Sequence, residues 1–163
     1  MIGRQKLIGI DGLGASGKTE LAKKIVAKLD GYIIIHTDDY YKPLDQRTVG
    51  LVPEIISPDF DWDRLEQEVF QQKHDRVAIV VGVYALQKRF QKYYDFTIWV
   101  DAPREVRIER MIKREGEDVA KEWEEKWLPR EERYLKLERP DKTATFVLTS
   151  EDPIPRQLLE LGR

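Results

Sequence analysis

Residues 12–19, GLGASGKT, have the spacing G-x-x-x-x-G-K-[ST] of a phosphate-binding loop. Glycines let the backbone curl without Cβ clashes, so that successive N–H groups converge on phosphate oxygens at the start of a helix. The Lys18 ammonium can then reach the β and γ phosphates, and the Thr19 hydroxyl can bind Mg²⁺. The alternative is a turn that only joins a strand to a helix. We expect a phosphate site, because the motif follows an apolar run and opens an amphipathic segment. The expected contacts are Gly12, Gly14, Ala15, Ser16, Gly17, Lys18 and Thr19.

A second group of reactive side chains lies in HTDDYYKP, residues 36–43. An isolated pair of aspartates is usually only a turn. Here the pair follows another apolar run, and ligands of open α/β sheets bind beyond the carboxyl ends of strands. A hydroxyl that attacks a γ-phosphate needs a carboxylate to orient it and accept its proton, so Asp38 or Asp39 is a candidate base. The rings of Tyr41 and Tyr84 could flank a flat acceptor molecule.

Alternating apolar and amphipathic segments must position these residues. Apolar runs at 6–11, 32–36, 76–84 and 96–101 are each followed by a helix-like segment, which gives the order β-α-β-α-β-α-β-α. Continuous apolar runs suit strands that are covered on both faces. ATFVLTS, residues 144–150, supplies a fifth predicted strand. The expected fold is α/β, a three-layer P-loop NTPase fold with a five-stranded, mainly parallel sheet and a helical lid.

The predicted lid covers about residues 104–140 and is highly charged. Arg107, Arg110 and Arg114 are spaced i, i+3 and i+7, which places them on one face of a helix. That face could clamp phosphates when the lid closes and excludes water. The alternative is a solvated face, because glutamates interleave with these arginines. Pro129 predicts two helices or one sharp bend in the second half of the lid.

The composition limits the classes of partner. A length of 163 residues suits one domain, so we treat 1–163 as a single unit. Lys and Arg total 28 against 30 Asp and Glu, so there is no general attraction to nucleic acid or to a membrane. The absence of cysteine excludes disulfides and thiolate metal sites. Without a signal-like segment or a run of about 18 apolar residues, we expect a cytoplasmic protein, and a homo-oligomer stays open.

In order and spelling, the motifs resemble those of the uridine kinase-like family of P-loop kinases, which includes nicotinamide riboside kinases and phosphoribulokinase relatives. The similar stretches are IGIDGLGASGKTELA, HTDDYYKP, SPDFDWDRL, GVYAL, YYDFTIWVDAPREVRIERMIKREGED and ERYLKLERP. The resemblance implies ATP as co-substrate, Mg²⁺ held by Thr19 and Asp38, and Asp38 as the catalytic carboxylate. It further implies a lid whose arginines contact the phosphates. Arg107 and Arg110 are expected to assist transfer and Arg114 to bind ATP, while Asp39, Tyr41 and Tyr84 are expected to line the acceptor site.

Two positions depart from the pattern of that family. Val81 stands where the family has an acid that helps to hold Mg²⁺ or its water. Ile56 stands where uridine kinases have an aspartate that binds the ribose. With no acid at residue 81, Mg²⁺ would be held by Thr19 and the phosphates. Asp38, Asp39, or Asp11 acting through a water molecule would supply further help.

These observations predict an ATP-dependent kinase that phosphorylates a hydroxyl of a nucleoside-like acceptor. Two alternatives stay open beside it: an ATP-binding protein with impaired or lost kinase activity, which Val81 suggests, and an enzyme like the nicotinamide riboside kinases, which the spelling DDYYKP suggests. A nucleic-acid-associated ATPase is a weaker alternative, because the balanced charge opposes it.

Overall fold

Short runs rich in Ile, Val and Leu form one parallel sheet in the computed structural model, which describes residues 6–48, 56–72 and 76–161. Within those residues the sheet has five strands in the order β2-β3-β1-β4-β5, and every neighbouring pair is parallel. The expected α/β fold with a five-stranded sheet is confirmed. The strands are β1 (Leu7–Asp11), β2 (Tyr32–His36), β3 (Val77–Val81), β4 (Phe96–Val100) and β5 (Phe146–Leu148).

Helices connect consecutive strands and cover both faces of the sheet. They are α1 (Lys18–Val26), α2 (Trp62–Leu65), α3 (Lys88–Gln91), α4 (Arg104–Glu115), α5 (Glu117–Glu122), α6 (Leu128–Glu138), α7 (Pro140–Thr143) and α8 (Arg156–Leu159). Single turns of 3₁₀ helix cover Thr37–Tyr40 and Leu44–Gln46, and π-helical turns cover Glu66–Phe70 and Trp123–Trp127. None of the helices in the described residues is long and apolar enough to cross a membrane.

The two faces of the sheet bury separate apolar cores. On the face that packs against α1, Ile79 of β3 lies in one cluster with Leu21 and Ile25. On the opposite face, Ala78 and Val80 lie in a second cluster that is rich in aromatic side chains. The alternation along β3 follows from the two-residue period of a strand, and it produces the three layers that the sequence predicts.

The charged segment after β4 forms three helices. α4 ends at Gly116, whose φ of 92° suits glycine at a helix terminus. The chain stays helical from α5 through the π turn Trp123–Trp127 into α6, and Pro129 sits in the first turn of α6, where a missing N–H costs little. A third apolar cluster, which includes Met111 and Trp123, packs α4 against this segment.

Two strands and one helix are clearly shorter than predicted. β5 covers only Phe146–Leu148 of the predicted 144–150. β3 ends at Val81, since Gly82 has a φ of 147° and Tyr84 has a φ of 72°, both outside the strand region. The helix expected after it is a single turn, α3, because two hydrogen-bonded turns precede it: Ala85 N–H donates to Gly82 and Gln87 N–H donates to Tyr84.

Candidate functional site

The phosphate loop leaves β1 and enters α1 in an irregular, tightly held conformation. Ala15 and Gly17 have φ values of 61° and 96°. At Gly17 this left-handed geometry favours glycine, and a Cβ there would also collide with Ser150. α1 begins without a side-chain cap at Gly17, so its positive end faces the loop opening. The local geometry is therefore that of an anion-binding helix start.

Two cavities meet at this loop. The first, of about 600 Å³, lies over the start of α1. The second, of about 260 Å³, lies beyond the carboxyl ends of β2 and β3. Both are lined by Ala15, Lys18, Thr19 and Arg114, so the lysine and the threonine stand at their junction. Among the predicted loop contacts, Gly14, Ala15, Gly17, Lys18 and Thr19 line at least one cavity, whereas Gly12 and Ser16 are buried beneath the loop.

The first cavity is basic. Besides Lys18 it is lined by Lys23, Lys24, Arg110 and Arg114. The guanidinium of Arg110 donates to the carbonyl of Ala15 at 3.1 Å, so α4 is held directly against the loop. A cavity with this charge at a helix start suits the phosphates of a nucleotide.

The second cavity receives Asp38 because two loops are pinned together. The buried hydroxyl of Thr37 donates to the carbonyl of Val83 at 3.2 Å, which ties the turn after β2 to the loop after β3. Asp38 then lines the cavity. Asp39 does not line it, and its backbone carbonyl accepts a hydrogen bond from Arg64 instead. The two aspartates, which the sequence leaves equivalent, are thus separated.

Aromatic rings form the walls of the second cavity. The ring centroids of Tyr41 and Phe60 are 4.0 Å apart, and Tyr84 meets Phe60 edge-on at 5.7 Å. Trp123 and Trp127 also line the cavity. Burial raises the pKa of Tyr41 to about 12, so its hydroxyl stays protonated at neutral pH. The cavity offers ring faces for a flat group together with hydrogen-bonding groups.

Glu131 on α6 is a site residue that the sequence analysis missed. Its side chain is buried and lines the second cavity, and its carboxylate accepts a 2.8 Å hydrogen bond from the Gly14 N–H and lies beside the Trp123 indole. The available signal was periodicity, since Leu128, Glu131 and Tyr134 share the buried face of α6. An acid on such a face is unusual and marks a special environment.

Lys18 lies among carboxylates. Burial lowers the pKa of its ammonium, and the negative charges of Glu131, Asp11 and Asp38, in that order, raise it again. Burial also raises the pKa of Glu131, while the Gly14 N–H and Lys18 oppose that change. Lys18 and Glu131 therefore stabilise each other's charged forms.

Asp11 is fully buried at the end of β1 and lines neither cavity. One of its oxygens accepts from the Gly12 N–H at 2.7 Å, and the other accepts from the Leu86 N–H at 3.0 Å and the Tyr134 hydroxyl at 2.6 Å. Burial raises its pKa to about 6. Asp11 anchors the root of the loop.

Arg107 lies apart from the other two lid arginines. It is buried, it lines neither of the two cavities at the loop, and its Nε donates to the Ala102 carbonyl at 3.2 Å. It lines a third cavity of about 130 Å³ beneath the loop, together with Ser16. Arg110 and Arg114 are brought to the loop, and Arg107 is not.

The two departures from the family pattern lie close to the site. Val81 is buried and lines the second cavity. Ile56 packs against the aromatic cluster, and its carbonyl accepts from the Trp62 indole at 3.0 Å. Within the described ranges no three His, Asp or Glu side chains are grouped to hold a metal ion. Thr19 and Asp38 line the same cavity, and both side chains carry oxygen atoms, the ligand type that Mg²⁺ prefers.

Comparisons with known proteins give a consistent set of relatives. The cytidylate kinase of Archaeoglobus fulgidus is 31% identical over 115 residues, which cover 69% of this chain and 63% of that protein. The uridine kinase of Macrococcus caseolyticus is 27% identical over 143 residues, 69% of each chain. No family model matches. The chain spans 60–63% of the length of the cytidylate kinases that it matches.

Solved structures share the fold. A possible uridine kinase from Bacillus stearothermophilus superposes with a TM-score of 0.64 at 21% identity, over 90% of this chain and 89% of that one. At this identity the superposition establishes an α/β P-loop fold. Together with the sequence relatives, it confirms the resemblance that the motifs indicate.

Proposed function

This chain is related to the uridine kinase-like P-loop kinases, and from this premise we propose that it transfers the γ-phosphoryl group of ATP to a hydroxyl of a nucleoside-like molecule. One observation carries the proposal. A basic cavity and an aromatic cavity meet at Lys18 and Thr19, and Asp38 lies on the aromatic side. Phosphoryl transfer needs this arrangement, with the donor and the acceptor on opposite sides of the transferred group.

On the nucleotide side, the loop N–H groups and Lys18 would hold the phosphates. Arg110 and Arg114 would neutralise the charge that develops on the transferring group and its leaving oxygen. Arg110 is already bound to the loop carbonyl of Ala15, which limits its freedom before any nucleotide arrives. A pre-ordered cation costs less entropy when it contacts the transition state.

On the acceptor side, Asp38 would orient the hydroxyl and accept its proton. The acceptor oxygen forms a bond to the γ-phosphorus, the bond between that phosphorus and the β,γ-bridging oxygen breaks, and ADP leaves. The exposed carboxylate of Asp38 and the rings of Tyr41 and Tyr84 supply a base beside a flat pocket.

Magnesium, when bound, would shield the phosphate charges and polarise the transferring group. Thr19 and Asp38 are the side chains that would hold it, because both line the second cavity next to the phosphate loop. Asp11 would take no direct part, since both of its oxygens already accept hydrogen bonds in the interior.

The charge of the second cavity supports an acceptor without a phosphate of its own. Its lysine and arginine, Lys18 and Arg114, also line the nucleotide cavity. Asp38 and Glu131 add negative charge. A nucleoside monophosphate would need further cations, so a nucleoside-like acceptor fits better than a nucleotide.

Val81 supports a second candidate, an ATP-binding protein whose kinase activity is weak or lost. The second cavity has an apolar side chain at the end of β3 where the related kinases have an acid. Losing one group that orients the metal typically reduces activity by about 10- to 100-fold.

The test is an ATP-dependent phosphorylation assay with a panel of nucleosides, nicotinamide riboside and nucleoside monophosphates, read by ³¹P NMR. We expect at least one uncharged or cationic nucleoside to be phosphorylated and the monophosphates to be poor acceptors. Asp38→Asn should reduce turnover by about 10²- to 10⁴-fold while ATP binding stays intact. Asp39→Asn is the matched control and should retain most activity. Equal turnover of Asp38→Asn and the wild type would refute the role of Asp38.

A further inference from the structure

Glu131 places a negative charge where a phosphate would bind. Its carboxylate accepts the 2.8 Å hydrogen bond from the Gly14 N–H and contributes more than any other carboxylate to the charge around Lys18. Backbone N–H groups of this loop and its lysine are the groups that cradle phosphates. A carboxylate oxygen has the same sign of charge as a phosphoryl oxygen and, like it, accepts strong hydrogen bonds from N–H groups. Glu131 therefore satisfies the loop in the absence of a nucleotide.

Trp123 holds the carboxylate in this position. Its indole lies beside the Glu131 carboxylate, and its ring lies so close to Gly14 that a Cβ there would approach the indole nitrogen to 2.8 Å. Trp123 and Glu131 are both buried, and both belong to the continuous helical segment from α5 to α6. The contact thus docks the second half of the lid onto the phosphate loop.

We propose that Glu131 is a positioning residue that occupies the place of a nucleotide phosphoryl group, and that ATP binding exchanges the carboxylate for the phosphate. The inference rests on the proposed function, because it needs a nucleotide at this loop. A phosphate bound at the Gly14 N–H would repel the carboxylate that already accepts from this group, so the carboxylate must leave it. In the free protein the carboxylate stays at the Gly14 N–H, where its negative charge also acts on Lys18.

The experiment measures binding of ATP and of inorganic tripolyphosphate by calorimetry in the presence of EDTA, so that no metal takes part. Glu131→Gln keeps an oxygen that can accept from the Gly14 N–H but removes the charge. We expect it to bind both ligands about ten-fold more tightly or better than the wild type. Glu125→Gln is the matched control, because Glu125 is exposed on the same lid segment and loses the same charge. It should bind like the wild type.

The outcomes separate the inference from the proposed function. Equal or weaker binding by Glu131→Gln would contradict the proposed exchange of carboxylate for phosphate. Binding of ATP would still support a nucleotide site at the loop. A repeat of the ATP titration with Mg²⁺ instead of EDTA tests whether Glu131 holds the metal in place of an acid at residue 81. If it does, the variant loses affinity only for the magnesium complex of ATP, which also contradicts the exchange. Failure of all three proteins to bind ATP would refute the proposed function itself.

A measurement on the wild type keeps the test valid if Glu131→Gln does not fold. The indole N–H signal of Trp123, assigned by its loss in Trp123→Phe, reports the proximity of the Glu131 carboxylate. We expect this signal to shift upfield as tripolyphosphate saturates the site, because the carboxylate withdraws. A signal that stays unchanged at saturation would overturn the exchange.

Discussion

The hydroxyl of Tyr134 on α6 donates a 2.6 Å hydrogen bond to the buried carboxylate of Asp11 at the end of β1. The two residues are 123 positions apart in the chain. The bond joins the last helix of the lid to the root of the phosphate loop. Together with the contact of Glu131 to Gly14, it gives α6 two polar attachments to the loop. The stability of the fold and the geometry of the site therefore depend on the same helix.

Removing this bond should destabilise the protein. In Tyr134→Phe the Asp11 carboxylate loses one of its donors in a fully buried place, and such a loss costs about 1–3 kcal/mol. The free energy of unfolding from urea titration measures the effect. Tyr93→Phe is the control, because the Tyr93 hydroxyl also makes a 2.6 Å bond to a carboxylate, that of Glu66, but from a half-buried position. A loss in Tyr134→Phe no larger than in the control would contradict the anchoring role.

The stability should depend on pH through Asp11. Burial raises the pKa of Asp11 from 3.8 to about 6, so the folded state holds this proton more tightly than the unfolded chain does. Protonated Asp11 therefore stabilises the fold at acidic pH, and this contribution is lost as the pH rises from about 4 to about 6. A shift of this size corresponds to about 3 kcal/mol.

The measurement compares the free energy of unfolding of the wild type with that of Asp11→Asn between pH 4 and pH 7. Subtracting the unfolding free energy of the variant from that of the wild type cancels the contributions of the other carboxylates that titrate in this range. We expect the stability of the wild type relative to the variant to decrease toward pH 6 and then to level off. A difference that is constant across the range would show that the carboxyl group has an ordinary pKa.

The local features of this site could be predicted from the sequence. The phosphate loop, the apolar strands and the turn that carries Asp38 are each encoded by neighbouring residues, because glycine spacing and continuous apolar runs have direct backbone consequences. These features fix which ends of the strands form the site.

The features that the sequence could not supply depend on how α4 and α6 dock. Glu131 meets Gly14 across 117 positions, and no local pattern identifies the partner of a buried acid. The three lid arginines have the predicted spacing, but the start of α4 lies beneath the loop, so Arg107 meets Ala102 instead of a cavity at the loop. Tyr84 adopts a positive φ that its residue type disfavours. β3 therefore ends at Val81, three residues before the end that the apolar run predicts.

The remaining prediction concerns the missing acid at the end of β3. Val81 is buried and lines the second cavity, so Val81→Glu would place a carboxylate beside Thr19 and the phosphates. We expect the variant to need less Mg²⁺ for half-maximal rate and to turn over faster, by about ten-fold or more. The rate of ADP formation across a magnesium titration measures both effects. The added acid should also lower the thermal stability without ligand, because burial removes the hydration of its charge.

Val81→Gln is the matched control for this change. Glutamine has nearly the same size as glutamate but offers no negative charge to the metal. Any faster turnover or lower magnesium requirement of Val81→Glu relative to Val81→Gln is therefore due to the charge. A large benefit would mean that the native chain is catalytically impaired by Val81, which favours the second candidate function. Equal rates for the two variants would mean that Thr19 and Asp38 already hold the metal well enough, and the native chain would then be a competent kinase whose second cavity needs no acid on β3.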